Sequence, residues 1–110
     1  MKVKIGRKNL AIKDCKGIKS VKGLMFSEMQ DIDGAMIYAN NIWMPFVKHE
    51  LDLLFLDENY KIIEVQSAKP LSRKKSSWKI YKNERAKYCL ELKKGTISAK
   101  KGIKVEIIRS

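Results

Sequence analysis

Histidine, cysteine and proline are all scarce in this chain, with one His, two Cys and two Pro among 110 residues. His49 stands alone, and Cys15 and Cys89 are far apart and form no Cys-x-x-Cys pair. A zinc site of the usual Cys/His spacing cannot be assembled from that set. A Ser-His-Asp arrangement would have to use His49, which sits in the loop-like stretch Phe46-Val47-Lys48-His49-Glu50 with no nucleophile motif beside it. Glycine-rich phosphate loops are missing as well. The well-marked enzyme classes are therefore disfavoured, no cofactor or metal is expected, and a non-enzymatic role leads. Long apolar runs are also lacking. Runs such as Leu53-Leu54-Phe55-Leu56 fall far short of the roughly 18 residues a membrane span needs. The stretch Met1-Lys2-Val3-Lys4-Ile5-Gly6-Arg7-Lys8 has no apolar core before a small-residue cleavage site, so no secretory signal is expected. The expectation is a soluble cytoplasmic protein without a membrane partner, whose two cysteines are reduced, buried thiols.

Acidic residues are the other shortage: 12 Asp+Glu against 24 Lys+Arg, a net charge of +12. The excess is uneven. Residues 1–22 hold eight cations against Asp14 alone, and residues 69–88 hold eight against Glu84. Between them, residues 23–68 hold only Lys48 and Lys61 against eight acids. Two electrically distinct surfaces follow. A polyanion such as nucleic acid is the partner class that such a charge suggests. The best-suited segment is 73–82, where Arg73, Lys74, Lys75 and Lys79 interleave with Trp78 and Tyr81, so that cations and stacking rings alternate. The competing explanation is compositional. Only Arg7, Arg73, Arg85 and Arg109 are arginines, and bidentate phosphate grips and base readout favour arginine over lysine. Lys-rich, Ile-rich surfaces also serve solubility and ion-pair networks in thermophiles.

At 45% apolar residues, one domain spanning 1–110 can bury a real core, and a second core would not fit. Val3 and Ile5 alternate with lysines, Gly6 to Asn9 turn, and Leu10 and Ile12 alternate again, which predicts a hairpin. Asp31-Ile32-Asp33-Gly34 is a turn before a strand over 35–39. Leu51-Asp52-Leu53-Leu54-Phe55-Leu56 is apolar on both faces and is expected to be a central strand. Asp57-Glu58-Asn59 turns it into a partner strand, Tyr60 to Val65. Pro70 opens a basic loop to about Ser77. Residues 86–92 alternate, and Val105 and Ile107 make a last strand. Two short helices are expected, over 16–22 after an Asp14 cap and over 96–102 between Thr96 and Gly102. The sum is a mainly β domain, a compact sandwich or partly open barrel of antiparallel and mixed strands.

Several segments match one pattern in order: Gly23-Leu24-Met25-Phe26, Gly34-Ala35-Met36-Ile37-Tyr38, Trp43-Met44, Leu51-Asp52-Leu53-Leu54-Phe55-Leu56-Asp57, Leu90-Glu91-Leu92-Lys93-Lys94-Gly95 and Gly102-Ile103-Lys104-Val105. Over roughly residues 3–108 the set resembles the bacterial and archaeal domain of unknown function number one-nine-two. The resemblance implies a mainly β, sandwich-like domain and assigns it no activity, cofactor or substrate. Many relatives are secreted, a feature this chain departs from. It departs again at Pro45-Phe46, where a polar Lys-Asn pair is usual.

Two carboxylates stand out. Asp52 interrupts an apolar strand, and Glu91 shares a strand face with Cys89. A carboxylate in apolar surroundings must be paired or hydrogen-bonded, or its pKa rises. If the two converge on a cleft, acid–base catalysis or cation binding becomes available. Otherwise each serves the fold. Trp43 and Phe46 could line a small pocket beside Pro45, making Trp43, Phe46, Asp52 and Glu91 a candidate ligand site. Methionines beside aromatics are better read as core filler than as soft-metal ligands. Short edge strands make either a monomer or a weak homodimer the expected state.

Overall fold

The structure, a computed structural model, describes residues 1–14, 33–43, 50–68, 80–98 and 100–108. It is mainly β. The strands are β1 (Lys2–Ile5), β2 (Lys8–Asp14), β3 (Gly34–Ile37), β4 (Asn41–Trp43), β5 (Leu51–Leu56), β6 (Ile62–Ala68), β7 (Ile80–Lys82), β8 (Tyr88–Lys93) and β9 (Glu106–Ile108). Among the described residues, seven form one sheet in the order β6-β5-β8-β3-β2-β1-β9, and β4 pairs with β7 as a separate ribbon. β2 and β3 run parallel, and the other neighbours are antiparallel.

The sheet curls until its two ends touch. Lys61 bridges Lys104, the Ile62 amide donates to the Ile103 carbonyl at 2.8 Å, and the Val105 amide donates to the Tyr60 carbonyl at 2.8 Å. This seam is short, so of the two expected architectures the partly open barrel is the one formed.

Local chemistry explains the strands. The β1–β2 turn is only Gly6-Arg7, because Ile5 pairs directly with Lys8. Gly6 takes a φ of 60°, and a positive φ at the first of two turn residues matches the right-handed twist of the flanking strands. The β5–β6 hairpin forms as expected, with a longer turn. The Asp57 carboxylate accepts the Asn59 amide at 2.8 Å and the Lys61 amide at 3.0 Å. Tyr60, inside this turn, has a φ of 62°, a strained value for a residue with a Cβ. Its ring stacks on Tyr88 at 4.7 Å between centroids, and Tyr88 meets Tyr38 edge-on at 5.5 Å. Such ring pairs contribute about 0.5–1.5 kcal/mol each and help to offset the strain.

β5 is central, as its two apolar faces predict: it lies between β6 and β8. On the inner face, Val3, Ile5, Leu10, Ile12, Met36, Leu54, Leu56, Ile62, Leu90, Leu92 and Val105 pack as one buried cluster. On the other face, Ala35, Ile37, Leu51, Leu53, Phe55 and Cys89 are equally buried. Gly34 is needed where β3 meets β8. A Cβ there would lie 1.9 Å from the Glu91 carbonyl oxygen, so only glycine allows the two backbones to approach.

The helices need correction. The 16–22 segment lies outside the described residues, and among the described residues none is helical. Residues 96–98 and 100–102 are bend, turn and irregular chain. The Gly102 amide, which a helix would turn inward, donates to the Ile62 carbonyl of the barrel seam at 2.8 Å. Ile97 and Ile103 pack against the core cluster. A helix this short has a costly nucleus and little propagation to offset it, so tertiary bonding wins. The ribbon β4–β7 was not foreseen. Its halves are distant in sequence and only three residues each, too short for alternation to register.

Candidate functional site

The sheet register decides whether the two carboxylates converge. Residues paired across an antiparallel ladder project to one face, and successive residues to opposite faces. Asp52 pairs with Leu92 on one side and Ser67 on the other, whereas Glu91 pairs with Leu53 and Ala35. Asp52 and Glu91 therefore lie on opposite faces of the sheet and share no cleft.

Their surroundings differ too. Asp52 is half-buried, and its charge reaches the exposed Lys94 ammonium. That ammonium donates to the Glu50 carboxylate at 2.8 Å. This hydrogen bond first, then the charges of Glu50 and Asp52, keep the lysine protonated beyond its usual range. Glu91 is 1% exposed, flanked by Leu53, Ala35 and Cys89, and its Oε2 has no hydrogen-bond partner. Burial lifts its pKa from the ordinary 4.5 to about 8, so at neutral pH it is an uncharged acid. Burial, reinforced by Glu91, also pushes the Cys89 thiol well above its ordinary range. Cys89 is thus free, buried and poorly nucleophilic.

Trp43 has its backbone in β4, opposite Ile80 of β7, while Phe46 lies outside the described residues. Of the basic–aromatic candidates, Tyr81 lies in β7 opposite Ile42. Arg73, Lys74, Lys75, Trp78 and Lys79 fall outside the described residues, as do Cys15 and His49. Among the described residues, no three His, Cys, Asp or Glu side chains come together as a metal site. No helix among them is long and apolar enough to cross a membrane.

A different site emerges beside the outer edge of β6, just past the barrel seam. It is an open cleft of about 1080 Å³. Among the described residues it is lined by Ile63 to Val65 of β6, by Lys82 to Arg85, by Lys100 and Lys101, and by Asp57. Short hydrogen bonds set its shape. The Asn83 amide group donates to Glu64 Oε1 at 2.7 Å, and the Gln66 amide group donates to the Lys82 carbonyl at 3.3 Å. The Arg85 backbone amide donates to Asn83 Oδ1 at 2.9 Å, which fixes the turn carrying Arg85.

Among the described lining residues four cations face three acids, a formal charge of +1. Asp57 is bonded to the turn amides and Glu64 to Asn83, which holds these carboxylates in place and leaves them charged. No described acid forms an ion pair with Lys82, Arg85, Lys100 or Lys101. The cleft is thus modestly positive, with its four cations not tied to an acid. Sequence reasoning located the two basic stretches that contribute to it, but not their meeting, because the seam between residues 60–62 and 102–105 is what brings Lys100 and Lys101 to β6.

Comparison with known proteins places this architecture in a family. Residues 15–107 match the family described as Uncharacterized ACR, the domain of unknown function 192. The chain belongs to that family. No curated protein and no solved structure matches it.

Proposed function

We propose that this protein is a non-enzymatic binding domain that holds an anionic partner in the cleft beside β6. The observation that carries this reading is the convergence of Lys82, Arg85, Lys100 and Lys101 on one concavity, none of them in an ion pair with a described acid. The opposed placement of Asp52 and Glu91 supports a binding role over carboxylate catalysis, since no substrate atom can sit between them. The test is a salt titration with two fluorescent probes, an oligo-glutamate peptide and an oligothymidylate. At least one is expected to bind at about 50 mM salt, with affinity falling as salt rises. Replacing Lys100 and Lys101 by glutamate is expected to weaken binding about tenfold or more and to flatten the salt slope. Failure of both probes, or binding indifferent to the double substitution, removes the proposal. Nucleic acid is the alternative partner class, because the segment 73–82 ends at Lys82, a lining residue of the same cleft.

A further inference from the structure

We infer that the cleft takes an extended acidic segment of a partner protein, added as a short strand along the outer edge of β6. This rests on the anion-binding reading above and names its partner class.

Four observations lead there. First, β6 ends the sheet order, and past the Lys61–Lys104 bridge no described strand pairs with its outer side. An edge of this kind offers unpaired backbone donors and acceptors, which an extended chain satisfies and a nucleotide does not. Second, Val65 is 37% exposed on this edge and lines the cleft beside Ile63. Edge strands ordinarily carry charge or proline at such positions to discourage pairing. Here an apolar side chain is left where an incoming strand would cover it. Third, Lys82, Arg85, Lys100 and Lys101 all line the cleft at this edge. They suit the carboxylates of an added strand. Fourth, among the described lining residues none is aromatic, and base binding relies on stacking against such rings. Among the described cations of the lining, Arg85 alone offers the fork that grips phosphate in a bidentate manner.

The test uses a fluorescent peptide of alternating glutamate and valine, with two versions N-methylated at alternate amides, one for each edge of the strand. N-methylation removes backbone donors and leaves every charge in place. The full-length protein is expected to bind the parent peptide. One N-methylated version is expected to lose about tenfold or more in affinity while the other stays close to the parent. Val65→Asp is expected to weaken the parent peptide severalfold, and Arg85→Glu with Lys101→Glu to weaken it about tenfold or more, each with an unchanged thermal melt. Equal binding of both N-methylated versions overturns strand addition and leaves the cleft as an anion site. Tighter binding of oligothymidylate, displacing the peptide, overturns it in favour of nucleic acid. If neither peptide nor oligothymidylate binds, this inference falls together with the reading beneath it.

Discussion

The two faces of the β5–β8 ladder are built from nearly the same residues and behave differently. On the inner face, Leu54 and Leu56 meet Leu90 and Tyr88 in a continuous apolar cluster that also gathers Val3, Leu10, Ile12 and Met36. On the other, Leu53 and Phe55 meet Glu91 and Cys89, so a carboxyl group stands in the middle of equally buried neighbours. A single register step separates Asp52 from that position and leaves it half-buried within reach of Lys94. The lesson is that side-chain chemistry on a sheet is set by parity before it is set by proximity.

Substitutions can break this contrast or sharpen it. The largest effect is expected at Gly34, which both faces depend on. Gly34→Val would drive a side chain into the Glu91 carbonyl and part β3 from β8, and the variant is expected to lack a cooperative thermal transition. Next is the inner face: Leu54→Ala should cost about 2–5 kcal/mol in denaturant unfolding, since the residue is fully buried and its neighbours come from several strands. Glu91 comes third and acts through pH. Its pKa is about 8 when folded and near 4.5 when unfolded, so the native state holds the proton more tightly. Its stabilising contribution is complete below about pH 4.5 and disappears as pH rises through about 8, at ~1.4 kcal/mol per pH unit within that window. Glu91→Gln should flatten the stability profile between those limits, and a variant that keeps the wild-type slope would show that another group is responsible. Asp57→Ala, which frees two turn amides, should cost about 1 kcal/mol. Smallest is Lys94→Met, which removes an exposed ion pair and should leave the melting temperature unchanged within measurement scatter.

Much of the fold was legible because burial writes itself as period two. The alternation at 86–92 and the largely apolar stretch at 51–56 carried the two central strands, and Gly6 marked the first turn. What stayed hidden was held by contacts distant in sequence. The stretch 96–102 has helix-like ends, yet its backbone bonds to β6, a partner that no local pattern announces. The pairing of Asn41–Trp43 with Ile80–Lys82 is invisible for the same reason. Asp52 and Glu91 are both unusual in sequence, but the offset that puts them back to back is a matter of register, which composition does not encode. The cleft at Lys82, Arg85, Lys100 and Lys101 depends on the seam and could be read only as charge in two separate stretches.

The pairing of β1 with β9 has a temporal consequence. Lys2 lies opposite Ile108, so the second edge of β1 is satisfied only by a strand very distant in sequence. Contacts between such distant parts of a chain carry a heavy loop-closure entropy and slow the search for the native arrangement. The locally closed β1–β2 hairpin would therefore form while the barrel still gapes, and completion would come as a late, cooperative event.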